Sequence, residues 1–169
     1  MNKRVAGGVL AGVIMIAISI LFVKILQSAI HQDAINQSAV LPASLPLFNL
    51  DSIQYQVPDN GRMLLLIHFN STCDHCQEEV KSMASHAAAF AHASIVFISS
   101  EPLYLIKQFK SQWALAQYKN IDVVKMNAED LYNTFGSISF PCIYIYDADR
   151  RLVKVFKGET KAEALLQYL

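Results

Sequence analysis

Two cysteines, Cys73 and Cys76, stand three positions apart with Asp74 and His75 between them. A pair at that spacing can close a small disulfide ring and reopen it. The chemistry on offer is thiol–disulfide exchange, in which a thiolate attacks a disulfide sulfur through a mixed disulfide. An apolar run, MLLLIHF at 63–69, leads into the pair, and a helix-like stretch, QEEVKSM at 77–83, leads out of it. That order puts Cys73 at a helix N-terminus, where unpaired backbone N–H groups and the helix dipole favour negative charge on its sulfur. Cys73 is therefore the expected nucleophile, and Cys76, one turn further on, the resolving thiol. His75, as a positive charge or an N–H donor, is expected to stabilise a Cys73 thiolate and make the disulfide more oxidising, while Asp74 acts in the opposite sense by repulsion.

Other uses of the motif fit less well. The only further cysteine is Cys142, too few for a structural disulfide framework. Zinc would want two more ligands at matching spacing, and only scattered histidines are present. Haem attachment needs a histidine directly after the second cysteine, where Gln77 stands. No metal and no cofactor is expected. Cys142 follows Pro141 and reads as a small buried hydrophobe close to the active pair. His68 reads as a core or strand-edge histidine of the apolar strand, His86 and His92 as solvated surface, and Tyr104, Phe109 and Trp113, at helical spacing, as core or a helix–sheet contact.

The elements that must position the pair follow from periodicity and turn residues. Residues 48–57 alternate as an edge strand or hairpin before a PDNG turn at 58–61, and the run at 63–69 suits a central strand buried on both faces. A helix is expected from Cys76 to about residue 91, a strand over 94–99, and a helix opened by Glu101 and Pro102 that runs to about Tyr118. A strand over 121–126, a helix over 128–135 ended by Gly136, strands over 141–146 and 152–156, and a closing helix over 161–169 complete the chain. The layout is α/β, a mixed sheet flanked by helices.

At the other end, residues 5–23 form nineteen uncharged positions rich in aliphatic residues, preceded by Lys3 and Arg4. At roughly 1.5 Å rise per residue this approaches the ~30 Å of a bilayer core. The expectation is an N-terminal transmembrane helix over residues 1–26, a tether over 27–44 and a folded domain over 45–169. The basic flank keeps the N-terminus in the cytoplasm and sends the domain across the cytoplasmic membrane. A cleaved signal peptide has a shorter apolar core and a small-x-small cleavage site. Both readings export the domain. Without Lys3, Arg4 and Lys24, 11 basic residues face 14 acidic ones, which argues against a nucleic-acid partner.

The order of elements, with C-x-x-C at a strand-to-helix junction and Phe140-Pro141 before a late strand, resembles the thioredoxin fold. It is most similar to the membrane-anchored, exported thiol–disulfide oxidoreductases of the TlpA/ResA type. The carriers are residues 64–76 (LLLIHFNSTCDHC), residues 132–141 (YNTFGSISFP), Tyr144 to Asp147, and Gly158. The resemblance implies that Pro141 is cis and packs beside the cysteines, and that the Phe140 backbone pairs with a bound peptide. It further implies protein disulfides or dithiols as substrates, and a membrane electron donor if the protein is a reductase. His at the third motif position is shared with protein disulfide isomerase and DsbA-like oxidants, so an oxidase or isomerase is the alternative direction. Two positions depart from the pattern: Thr72 replaces a frequent Trp, and Ile67 replaces a buried acid that helps move protons. His68, Glu78 and Glu79 are the candidates to take that acid's place. A peroxiredoxin needs a Pro upstream of the first cysteine that residues 66–72 lack, and a copper-delivering Sco-type protein uses C-x-x-x-C and a distal His. A redox-inert binding module on the same fold would not need two intact cysteines.

Overall fold

The computed structural model describes residues 14–24, 40–136 and 139–169, which fall into two units, Met1–Gln37 and Ser38–Leu169. In the first unit residues 14–24 are helical (α1) and their side chains are exposed. Residues 1–13 and 25–26 of the expected anchor, and residues 27–39 of the expected tether, lie outside the described residues. Among the described residues no helix is long and apolar enough to cross a membrane.

The second unit is built on one seven-stranded sheet. Its strands are β1 (Leu47–Phe48), β2 (Gln54–Tyr55), β3 (Leu64–His68), β4 (Ser94–Ser99), β5 (Ile121–Met126), β6 (Cys142–Tyr146) and β7 (Leu152–Lys157), in the spatial order β2-β1-β5-β4-β3-β6-β7. The β3/β4 and β4/β5 pairs are parallel and the rest antiparallel. The continuous apolar runs of β3, β4 and β6 are buried at every position, as strands covered on both faces require. Alternate residues feed two cores. Leu65, Ile67 and Phe69 meet α2 (Asp74–Ser85), α3 (Leu103–Gln112) and α5 (Ala162–Leu166) on one face. Leu64 and Leu66 meet α4 (Ala128–Phe135) on the other. Phe69 stacks on Phe109 at 4.3 Å, fixing α3 beside the strand that delivers the cysteines.

Four boundaries differ from the sequence expectation. Packing begins ahead of residue 45: Val40 bridges Arg151, the Leu41 N–H donates to Arg150 O at 2.8 Å, and Leu41 is buried. The helix α2 starts at Asp74 and ends at Ser85; the Ala-rich continuation to residue 91 is a series of turns that brings Phe90 into the core. The helix α3 stops at Gln112 because Ala114 takes a left-handed conformation (φ 48°), and a short 3-10 turn, Leu115–Gln117, then buries Leu115. The closing helix is limited to Ala162–Leu166. Tyr104, expected in the core or at a helix–sheet contact, is 68 % exposed, whereas Phe109 is buried.

Candidate active site

Cys73 is the N-cap residue of α2, and no side chain caps that end. The first intrahelical bond runs from the Gln77 N–H to Cys73 O at 3.1 Å, so the N–H groups of the first turn have no partner within the helix. Those N–H groups face the N-cap residue, Cys73. Cys73 is half-buried and Cys76 buried, both as free thiols. Burial, opposed by a hydrogen bond with the Asn70 backbone and reinforced by the Cys73 side chain, pushes the Cys76 thiol well up from its ordinary value. The two cysteines are thus differentiated: one accessible sulfur under a helix dipole, one desolvated thiol behind it.

The Phe140–Pro141 peptide bond is cis. Cys73 Sγ donates to Phe140 O at 3.8 Å, which places the accessible sulfur against the backbone just before that bond. Phe140 is half-buried and Pro141 buried. The segment between β7 and α5 closes the same site with three consecutive residues. Gly158, at a φ of 92° that suits glycine, donates its N–H to Pro141 O at 2.8 Å. Glu159 Oε2 lies 2.8 Å from His75 Nδ1. The Thr160 N–H donates to Glu79 Oε2 at 2.7 Å. The His75–Glu159 pair is exposed on both sides, so its own worth is at most about 1 kcal/mol. Asp74 is exposed beside it.

Glu79 is the buried acid of the site. It is 1 % exposed, its Oε1 has no hydrogen-bond partner among the described residues, and burial pushes its carboxyl up to about 7 against the pull of the Thr160 N–H. It stands three positions after Cys76 on α2, where i and i+3 side chains share a face, and its charge raises Cys76 further. Of the candidates for the place left by Ile67, Glu78 is exposed and pairs with Lys81. His68 lies on the opposite face of the sheet, edge-on to Phe135 at 4.4 Å, with neither ring nitrogen hydrogen-bonded among the described residues. Burial holds it neutral, its value lowered to about 3.

A scan against protein-family models finds no match, and a search of the curated proteins finds none. Solved structures do match. An exposed lipoprotein thioredoxin from Streptococcus pneumoniae is 24 % identical, covering 72 % of this chain and 94 % of that one, with a TM-score of 0.56. A secreted Mycobacterium tuberculosis disulfide oxidoreductase is 18 % identical over 81 % of this chain and 99 % of that one, TM-score 0.60. A thiol:disulfide interchange protein from Chlorobium tepidum is 18 % identical over 75 % and 93 %, TM-score 0.59. The chain has the thioredoxin fold.

Within that fold Cys142 is a buried core residue, as expected, and it lies on the sheet face opposite the one that holds the pair. It pairs across the ladder with His68 and points, like Tyr144, into the core on the α4 face, whereas Cys73 and Cys76 pack on the α2 face. Side chains alternate along a strand, so adjacency to Pro141 in sequence puts the Cys142 thiol behind the sheet. Burial also pushes that thiol up. Cys142→Ala is expected to leave disulfide turnover unchanged and to lower stability by about 1 kcal/mol; a matching loss of turnover in a steady-state assay would mean that this thiol takes part.

Proposed function

We propose that the protein is an exported, membrane-anchored thiol–disulfide oxidoreductase whose domain works on the periplasmic side of the cytoplasmic membrane. The observation that carries the activity is the placement of Cys73 Sγ, at the N-cap of α2, 3.8 Å from the carbonyl that precedes the cis Phe140–Pro141 bond. Support for export and anchoring comes from the uncharged run at 5–23 behind Lys3 and Arg4. A secreted disulfide oxidoreductase and an exposed lipoprotein thioredoxin among the structures of the same fold point the same way.

The Cys73 thiolate attacks one sulfur of a substrate disulfide, forms a mixed disulfide and expels the other sulfur as a thiolate. The substrate segment lies along the Phe140 backbone, next to Pro141. Cys76 then gives its proton to the Glu79 carboxylate and attacks Cys73 Sγ. The products are a Cys73–Cys76 disulfide and a substrate reduced by two electrons. The reverse sequence oxidises a substrate dithiol. The partners are cysteines of other exported proteins and, for net reduction, a membrane donor that returns two electrons to the pair.

The test is insulin-disulfide reduction with dithiol recycling. Cys73→Ser is expected to abolish it; a variant that retained activity would remove Cys73 from the mechanism and the reading with it.

A further inference from the structure

Residues 70–72, between β3 and α2, deliver Cys73 to its helix. Asn70 closes this loop on itself: its Oδ1 accepts from the Thr72 N–H at 3.0 Å and from Thr72 Oγ1 at 2.7 Å, and its carbonyl accepts from the Cys73 N–H at 3.2 Å. Those bonds shape the turn but do not fix where it stands relative to the sheet. Glu101, thirty positions further along, does that. The Ser71 N–H donates to Glu101 Oε2 at 2.7 Å and Ser71 Oγ donates to Oε1 at 2.8 Å, so one carboxylate grips one residue with both oxygens.

Glu101 is itself held. Ser99, the fully buried last residue of β4, donates from Oγ to Glu101 Oε2 at 3.0 Å and accepts the Glu101 N–H at 3.2 Å. Lys125 of β5 donates from Nζ to Glu101 O at 2.7 Å. Gln77, in the first turn of α2, donates from Nε2 to Ser71 O at 3.1 Å. A polar chain therefore crosses the carboxyl ends of three adjacent parallel strands, β5, β4 and β3, and ends on the loop before Cys73. Bonds to an ionised carboxylate are shorter and stronger than neutral ones, and partial burial strengthens them again.

We propose that Glu101 is a positioning residue of the exchange site: by clamping Ser71 it sets where Cys73 Sγ stands against Phe140 O and the α2 N-terminus. The proposal rests on the oxidoreductase reading, since it assigns Glu101 to that same sulfur. Small displacements of a reacting atom have large effects on rate, and the loop has no secondary structure of its own to limit them.

The test uses the full chain with Glu101→Ala, Glu101→Gln and Ser71→Ala. Readouts are the second-order rate of the Cys73 thiol with an aromatic disulfide reagent, the redox equilibrium with glutathione, and the thermal midpoint. Glu101→Ala is expected to slow the thiol about tenfold and to shift the glutathione equilibrium about threefold. Glu101→Gln keeps an oxygen for the Ser71 N–H and an amide facing Ser71 Oγ, and is expected to restore the rate to within about twofold. Ser71→Ala loses one of the two bonds and is expected to fall between, which gives the answer if Glu101→Ala does not fold. A folded Glu101→Ala with the parent's rate and equilibrium would overturn the proposal. So would Glu101→Gln as impaired as Glu101→Ala, because charge rather than position would then be at issue. If the parent reduces no protein disulfide but the reagent rates still follow this order, the oxidoreductase reading fails and the clamp on Cys73 stands.

Discussion

Cys76→Ser is expected to stop the reaction half-way and leave Cys73 covalently bound to its substrate. The two sulfurs have separate tasks because their surroundings differ. Cys73 is half-buried, caps a helix and touches the Phe140 carbonyl, so it can reach an incoming disulfide. Cys76 is 1 % exposed, and its thiol is hydrogen-bonded with the Cys73 side chain. With serine at 76 nothing in the site can resolve the mixed disulfide: Cys142, the remaining thiol, lies on the other face of the sheet. Turnover is expected to fall by more than about a hundredfold while the first attack continues. Mass spectrometry of the variant incubated with an oxidised protein substrate reads the adduct directly. Adducts formed equally well by Cys73→Ser would assign the exposed nucleophile to another residue.

Glu79→Gln is expected to raise stability at alkaline pH and slow the second step of the reaction. The sign follows from the direction of the shift. Burial raises the folded-state value from 4.5 to about 7, so between those two pH values the folded protein binds more protons than the unfolded chain. Stability contributed by this group is therefore full below about 4.5, declines as pH rises toward 7, and is lost above it. The shift corresponds to a penalty of about 3 kcal/mol at pH 8 as an upper figure, from 1.36 kcal/mol per unit. Glutamine carries no such penalty and still accepts the Thr160 N–H, so the variant should unfold at a higher temperature than the parent at pH 8 and at a similar one at pH 4. The same change removes the carboxylate proposed above as the proton acceptor for Cys76. Resolution of a preformed mixed disulfide should slow by about a hundredfold and lose its dependence on pH near 7. Equal unfolding temperatures at both pH values, with unchanged resolution, would reduce Glu79 to a packing residue.

Much of this arrangement is legible along the chain. The strands β4 and β5 and the helix Ala128–Phe135 stand where the sequence puts them, because the fully buried apolar run of β4 and Gly136 as a stop are local signals. The helix after the cysteines is misread at both ends. Asp74 and His75 already belong to it, and the alanines after Ser85 turn instead so that Phe90 can reach the core. Helix propensity is a weak prior where a large aromatic side chain gains more by burial.

The C-x-x-C pair, its place at the start of a helix and the Phe140-Pro141 step ahead of β6 are readable from the chain alone. These depend on residue type and on spacings of a few positions. Which carboxylates stand around the pair depends on the folded sheet. Glu101 reaches Ser71 across thirty positions, Glu159 reaches His75 across 84, and Thr160 reaches Glu79 across 81. The tertiary fold also determines that Glu79 is buried while Glu78 is not, and that Cys142 faces away. The physical reason is the range of the forces involved. Helix ends and strand periodicity are encoded within one or two turns of chain. The partner and the desolvation of a charged side chain exist only after the sheet has brought distant segments together.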